Sequence, residues 1–545
     1  MYTYTPNKST RREITLALQN YLLLQNGTDV RGVACEGIPG EKVTLSEEAA
    51  ENIAKAFCVC LLSRTGETRV TVAVGYDSRI TANSLCNAVA NGILSSGHNA
   101  VLTGLSTTPS MFMLLQEQSA GVVCQGSIMI TASHLPFNRN GFKFFTPQGG
   151  LEKADVTEIL TLAASYRFST GLVGEKIPYN YLDIYANTLV ERVRKATGEE
   201  KPLLGKKIVV DAGNGAGGFF ADKVLSPLGA NTDGSQFLEP DGLFPNHIPN
   251  PEDSEAMQFV CSAVKQAKAD FGIIFDTDVD RASAVDKFGN EINRNKLIAL
   301  IAAILLEEKP GTIVTDSITS DGLSKFIEAK GGRHHRFKRG YKNVINEAIR
   351  LNELGEYTPL AIETSGHAAF KENYFLDDGA YLITRLLIAL ARASKEGKEI
   401  TDYVKDLEMP AESLEIRLKF ASGCDFKTLG QALLKDFENF AQGLPYAEVI
   451  KNNYEGCRVA LNKNFGDGWA LVRMSLHDPV LPINVESNTP HGCLKSLKVL
   501  YRFLQKYPFL DVAPLHAAIT LRREALLEDV KKAKAEGKLT FIFGK

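Results

Sequence analysis

The sequence predicts an α/β protein: three similar α/β domains with mixed, largely parallel sheets, and a C-terminal α+β domain, around one central cleft. Three observations lead there. First, an apolar β-branched run ends in a polar, Asp- or Gly-containing turn and gives way to a helical pattern three times, in VTVAVGYDSRITA (Val70 to Ala82), KIVVDAGNGAGG (Lys207 to Gly218) and GTIVTDSITSDG (Gly311 to Gly322). Second, each is followed by another short strand running into a polar loop: SIMITASHLP, GIIFDTDVDR and LAIETSGHAAF. Strands alternating with helices imply parallel layers, whose ligands bind at the carboxyl ends of the strands. Third, from Leu414 onward the strands are shorter (RVALN, ALVRMSL, PINVES) and the chain ends in helical patterns, which reads as α+β.

Turn-rich or charged stretches punctuate this order: KATGEEKPLLGKK (Lys195 to Lys207), EEKPGT (Glu307 to Thr312) and KDLEMPAES (Lys405 to Ser413). The expected domains are therefore 1–200, 201–309, 310–409 and 410–545. The length of 545 residues agrees with three to four domains at about 150 residues each.

Composition excludes several classes. Hydrophobic residues at 44% and charged residues at 23% are ordinary for a globular chain, which rules out disorder, collagen and coiled coil. With 61 basic against 64 acidic residues the net charge is −3, so nothing calls for nucleic acid or an anionic membrane as partner. The longest aliphatic run, Leu297 to Leu306, is half the length needed to span a bilayer. Nine cysteines in so long a chain make no disulfide framework and read as buried reduced thiols. Cys58 and Cys60, two apart in a helical pattern, point in different directions and form no redox or metal pair. The first twelve residues lack acids and are rich in Thr, Ser and Arg, yet no apolar segment follows, which excludes a secretory signal. The cytoplasm is the expected location, and that acid-poor start also fits a transit-peptide remnant.

Four loops carry chemistry. In GIIFDTDVDR, Asp276, Asp278 and Asp280 alternate directly after an apolar strand, and Arg281 follows. Three carboxylates without His or Cys make an all-oxygen set suited to magnesium with positions left for a phosphate oxygen, a stronger reading than an acidic surface turn. In SIMITASHLPFNRNGFK, Ser133 is alone a turn former. Beside His134 and with Lys143 downstream it becomes a candidate nucleophile or phosphate carrier. ETSGHAAF offers Glu363, Ser365 and His367 for sugar hydroxyls, with Gly366 allowing a tight turn, while Asp377 and Asp378 read as caps of the helix that follows. In GWALVRMSLHDPV, Arg473 and Ser475 at a strand end make a phosphate clamp as readily as a surface ion pair.

Taken in chain order, these loops closely resemble those of the α-D-phosphohexomutase family, which includes phosphoglucomutases and phosphomannomutases. TDVRG near the start is similar to the family's YDIRG, and PDGLFPNHIPNPED (Pro240 to Asp253) matches its domain-two signature almost letter for letter. The resemblance implies a phosphoserine at Ser133 that passes its phosphoryl group to a hexose phosphate through a bisphosphorylated sugar, with hexose 1,6-bisphosphate as activator. It implies that Asp276, Asp278 and Asp280, with Ser133, hold Mg2+. Arg31, Lys143 and His134 would serve or support proton transfer. Arg281, Gly340, Lys342, Glu363, Ser365 and His367 would meet the sugar, and Arg473, Ser475 and His477 its other phosphate. Arg79 would be a charge partner in the cleft. Glucose phosphates come first and mannose phosphates second, for a monomer or homodimer that binds neither nucleic acid nor membrane.

The chain departs from the family in four places: TASHLP for TASHNP, DTDVDR for DGDGDR, IETSGH for GEMSGH, and RMSLHDP for RASNTTP. Thr277 and Val279 in place of glycines restrict the backbone of the acidic loop. Asp478 brings a carboxylate toward a phosphate site, which costs affinity unless it points away or pairs with a cation. This motivates a rival reading, a sugar-phosphate-binding member without turnover. A second rival is a haloacid-dehalogenase phosphatase with Asp276 as nucleophile, since IIFDTDVD resembles that family's opening motif.

Overall fold

The computed structural model describes residues 17–117, 122–165, 173–475 and 478–536. The acid-poor start and His477 lie outside the described residues. Two compact units emerge: the chain through Leu297 together with Ser365–Asp402, and Ile298–Thr364 together with the chain from Tyr403.

In the first unit an eight-stranded sheet runs in the order Gln25–Asn26, Asp29–Val33, Arg139–Thr146, Gly126–Ile130, Thr71–Tyr76, Asn99–Leu105, Lys176–Pro178, with Gly149–Gly150 appended to Arg139–Thr146. The last four strands of that order are parallel and the rest antiparallel. Gly126–Ile130 is buried at every position, as a strand covered on both faces must be. The helix Glu47–Thr65 starts where the Ser46 side chain accepts from the Ala49 N–H and stops at Gly66 in the left-handed region. Its Ile53, Phe57 and Leu61, four residues apart, are buried, and the Phe57 ring lies 5.0 Å from that of Phe144.

A second sheet runs Glu291–Ile292, Ala282–Asp286, Phe271–Phe275, Ile208–Asp211. Only its Ile208–Asp211 and Phe271–Phe275 pair is parallel. The functional loops thus depart from simple crossovers: Thr131–Asn138 and Asp276–Arg281 each lead from one strand into an antiparallel return strand.

The helix Gly379–Lys395 begins at Asp378, whose Oδ1 accepts from the Tyr381 N–H (2.8 Å) and from the Tyr185 hydroxyl of the helix Tyr181–Thr197 (2.7 Å). Its Oδ2 accepts from the Asn373 side-chain amide at 3.0 Å. Asp378→Ala would leave three buried donors without an acceptor, so a loss of about 2–4 kcal/mol is expected in urea unfolding. A loss below about 0.5 kcal/mol would mean that water replaces the carboxylate and the cap is dispensable.

In the second unit the strands Arg333–Arg336, Thr312–Thr315 and Leu360–Ile362 are parallel neighbours, with Thr312–Thr315 central. A separate antiparallel sheet runs Glu412–Lys419, Val480–Ser487, Gly468–Val472, Cys457–Leu461, Ala447–Val449. The helices Phe426–Gln442 and Gly492–Leu504 contribute Leu433, Phe437, Leu497 and Phe503 to its core. The aliphatic run Leu297 to Leu306 lies buried in the helix Arg294–Glu308, and no helix among the described residues is long and apolar enough to cross a membrane. All nine cysteines are free, and six are buried.

Candidate active site

The serine loop is held open from behind. Ser133 has φ 49, in the left-handed region, and its N–H donates to Thr131 Oγ1 at 2.8 Å. Arg79, fully buried, donates to the carbonyls of Pro136 and Arg139 (2.9 Å each), Leu135 (2.6 Å) and Ser133. Its Nε lies 3.6 Å from buried Asp77, which burial pushes up to about 6, and burial brings Arg79 itself down to about 10. Arg79, expected as a charge partner, stands beside Asp77 and also donates to four backbone carbonyls, so it shapes the loop that presents Ser133.

Around the Ser133 hydroxyl, Asp276 Oδ2 lies at 3.0 Å, Arg281 Nη2 at 3.1 Å and His134 Nδ1 at 3.3 Å. Arg281 also donates to His134 Nδ1 at 2.7 Å, so that nitrogen carries no proton and the ring is neutral. Nε and Nη2 of Arg281 also lie 3.1 Å from Asp276 Oδ2, and Nη1 donates to the Asn250 side-chain oxygen at 3.0 Å. Asn250 belongs to the PNHIPNPED segment, which gives that segment a physical role: it orients the arginine that reaches the serine.

The three aspartates are buried, and one ligand atom of each lies within 4.8 Å of the others. Lys143 Nζ donates to Asp278 Oδ2 (3.0 Å) and to Asp280 Oδ2, and Thr108, at the start of the helix Thr108–Gln116, donates to Asp278 Oδ2 at 2.5 Å. Burial and the charge of Asp280 push Asp276 well above the carboxylate range. Against burial, Lys143 and then His367 hold Asp280 below that range. Lys143 is itself held charged, because Asp278 and Asp280 outweigh its burial. Asp278 Oδ1 and Asp280 Oδ1 have no hydrogen-bond partner among the described residues. Two buried carboxylate oxygens without donors, in an all-oxygen cluster, suit a hard divalent cation. Val279, buried in the turn, has φ 64, so the chain accepts the restriction predicted for its missing glycine, at a cost of about 1–2 kcal/mol.

Arg31 projects from Asp29–Val33 across Gly141, where a Cβ would lie 2.9 Å from Arg31 Cδ. It pairs with Asp29 (2.7 Å) and donates to the Thr131 carbonyl, beside the serine loop. His367 sits 2.5 Å from Asp377 and 3.9 Å from Asp280, and against burial these two raise it to about 9. Asp377 thus partners a histidine, and Asp378 alone caps the helix. Gly366, with φ 95, turns so closely that a Cβ would meet the Ala282 carbonyl at 2.7 Å. The Ser365 hydroxyl is buried without a partner among the described residues.

The second unit holds the other predicted residues. Gly340, at φ 112, precedes the helix Tyr341–Glu353 and donates its N–H to Glu363 Oε1 at 2.7 Å, while Lys342 lies in that helix's first turn. Arg473 follows Gly468–Val472; its N–H donates to the Pro482 carbonyl at 3.1 Å, and the Ser475 N–H to the Val480 carbonyl at 3.0 Å. The Arg473 guanidinium is buried, its Nε has no hydrogen-bond partner among the described residues, and Glu415 and Glu455 stand 3.8 Å from it. The carboxylates near Arg473 therefore come from elsewhere than Asp478, whose side chain is exposed. Thr108, Asn250, Glu415 and Glu455 were not singled out from the sequence. Thr108 alone left a signal, the helix-opening TTPS with its capping box.

Three family models match in succession, described as phosphoglucomutase/phosphomannomutase, alpha/beta/alpha domains I (residues 24–169), II (183–289) and III (293–408). A phosphoglucomutase of Neisseria gonorrhoeae is 30% identical over 85% of this chain and 92% of its own. A phosphomannomutase/phosphoglucomutase of Pseudomonas syringae is 30% identical over 89% of this chain and 96% of its own. The crystal structure of a phosphoglucomutase/phosphomannomutase family protein from Burkholderia thailandensis superposes with TM-score 0.72 at 28% identity, covering 88% of this chain and 96% of that one. The loops of Ser133, of Asp276 to Arg281 and of Glu363 to His367 thus fall within matched domains in their expected order, and the chain belongs to the phosphoglucomutase/phosphomannomutase family of α-D-phosphohexomutases.

Proposed function

We propose that the protein is a phosphohexomutase that interconverts hexose 1-phosphate and hexose 6-phosphate, glucose first and mannose second. The observation that carries this reading is the Ser133 hydroxyl, 3.0 Å from Asp276 and 3.1 Å from Arg281 at the edge of the aspartate cluster. As a phosphoserine it gives its phosphoryl group to a sugar hydroxyl: the serine O–P bond breaks, a sugar O–P bond forms, and the sugar hydroxyl's proton is matched by the one the freed serine oxygen takes up. The bisphosphorylated sugar then returns its other phosphoryl group to serine, so phosphate is conserved through the cycle.

Three carboxylates face two direct cations, Lys143 and Arg281, and a serine phosphate adds about −1.5 to −2 of charge. Asp276, Asp278 and Asp280, with the phosphate of Ser133, would hold Mg2+, which when bound supplies charge neutralisation for the transferring group. Lys143, held charged, gives electrostatic support rather than a base. Arg31, bound to the Thr131 carbonyl, supports the charge near the serine loop, and neutral His134 orients the hydroxyl. Glu363, Ser365, His367, Gly340 and Lys342 meet the sugar. Arg473 and Ser475 take the non-transferring phosphate, the free Arg473 Nε being a donor suited to it. Nine unpaired cysteines fit a reducing compartment such as the cytoplasm.

Purified protein with glucose 1-phosphate, Mg2+ and catalytic glucose 1,6-bisphosphate is expected to form glucose 6-phosphate in a coupled assay, with mannose 1-phosphate as a second substrate. EDTA should abolish turnover and Mg2+ restore it. Sugar-phosphate binding without turnover in either case would favour the non-catalytic reading.

A further inference from the structure

We infer that a basic cavity in the second unit, between the strand Arg333–Arg336 and residues 450–458, binds a small phosphate-bearing metabolite and reports its occupancy to Arg473. The cavity measures about 410 Å³, within the range of small-ligand pockets. Arg333, Arg336, Arg350 and Arg458 line it, and none of its described lining residues is acidic. Arg473 and Ser475 are not among them, so it is distinct from the proposed phosphate clamp.

The counter-charges stand behind the wall and fall short. Glu356 pairs with Arg333 (2.6 Å) and Glu347 with Arg350 (2.7 Å), but one carboxylate, Asp321, serves both Arg336 and Arg458, at 2.9 Å each. The next acid, Glu486, accepts from Trp469 Nε1 at 2.6 Å, and burial pushes it up to about 7, toward its neutral form. Two largely buried guanidinium groups therefore share Asp321 as their direct ion-pair partner. Burial and the neighbouring Arg336 bring Arg458 down to about 9, against the pull of Asp321. Arg333 and Arg350 have side chains 57% and 52% exposed and can swing to an incoming phosphate. Tyr454, tilted against His335 (ring centroids 5.3 Å) and Phe337 (5.0 Å), gives one wall an aromatic surface.

Communication runs through adjacent residues. Tyr454 lines the cavity, and the next residue, Glu455, accepts from the Arg339 N–H (3.2 Å) and the Ser317 hydroxyl while standing 3.8 Å from Arg473. Arg458 donates to the carbonyls of Ser317 (2.9 Å) and Thr319 (3.2 Å). An anion that draws Arg458 and Tyr454 toward the cavity changes how Glu455 sits beside Arg473 and beside the backbone preceding Gly340.

The chain has a single tryptophan, Trp469, and the Arg458 guanidinium lies 3.7 Å over its ring, which supplies the readout. The full chain is titrated with inorganic pyrophosphate and, separately, ATP, following Trp469 fluorescence. The expected result is a saturable change with a midpoint below about 1 mM, weakened at least about tenfold in Arg333→Ala/Arg350→Ala and retained in Arg473→Ala. ATP binding at least about tenfold tighter than pyrophosphate assigns a nucleotide, and equal binding assigns the phosphate alone. No saturable change by about 10 mM, a response that survives Arg333→Ala/Arg350→Ala, or one lost in Arg473→Ala would overturn the site. The coupling rests on the proposed function: bound ATP should shift the KM for glucose 1-phosphate at least about twofold in the wild type and not in Arg333→Ala/Arg350→Ala. An unchanged KM with ATP bound overturns the coupling, whereas absence of turnover altogether counts against the proposed function and not against the site.

Discussion

Replacing Ser133 by alanine is expected to lower kcat for hexose phosphate interconversion by at least about a thousandfold, with no phosphoryl group detectable on the protein by mass spectrometry. The substitution is clean because the neighbours are already satisfied without the hydroxyl. Arg281 keeps both bonds to Asp276 and its bond to Asn250, and the Arg79 cradle holds the loop through backbone carbonyls. Alanine at φ 49 carries the same backbone strain as serine, so stability should move by less than about 1 kcal/mol. A dead enzyme with an unchanged melting temperature therefore reports on chemistry. Retained turnover would remove the serine from the mechanism and return attention to Asp276, the nucleophile of the phosphatase reading. Asp276 is a poor candidate on this geometry, since Arg281 binds it from two nitrogens.

Much of this site was legible because chemistry and strand endings coincide in the sequence. The alternation of Asp276, Asp278 and Asp280 behind FGIIF gave the cluster, and Ser133 behind GSIMI gave the hydroxyl beside it. What could not be read was which way the chain turned next. RNGFKFFT and ASAVD return antiparallel, so Lys143 comes back under the loop it follows and meets Asp278 and Asp280 across more than a hundred residues of sequence. Residues that support the site through backbone or through another side chain left little trace. Asn250 acts through Arg281, and Arg79 acts through carbonyls, which every residue carries. Neighbouring aspartates also diverge: Asp378 caps its helix as expected, while Asp377 turns to His367, ten residues before it in the chain.

Arg79→Met is expected to cost about 3–5 kcal/mol of stability and most of the activity, because it strips the charge from a buried pair and leaves the partner behind. Asp77 would remain buried without its cation, and the carbonyls of Ser133, Leu135, Pro136 and Arg139 would lose their donors. Melting curves of Arg79→Met, Asp77→Asn and the double variant separate these terms. If the unpaired carboxylate dominates, the double variant recovers a large part of the loss; if the carbonyls dominate, it stays as unstable as Arg79→Met. The pH dependence gives an independent sign. Burial already raises Asp77 to about 6, above its unfolded value, so the folded state holds that proton more tightly and gains stability as pH falls through the raised value. Arg79 opposes this rise, and removing it moves the window upward. Arg79→Met should therefore be destabilised more at pH 8 than at pH 5, and a penalty independent of pH would show that Asp77 is not the group left exposed to the loss. Activity should fall through kcat more than KM, since the loop that loses its cradle presents the serine while the groups proposed for the second phosphate, Arg473 and Ser475, belong to the other unit.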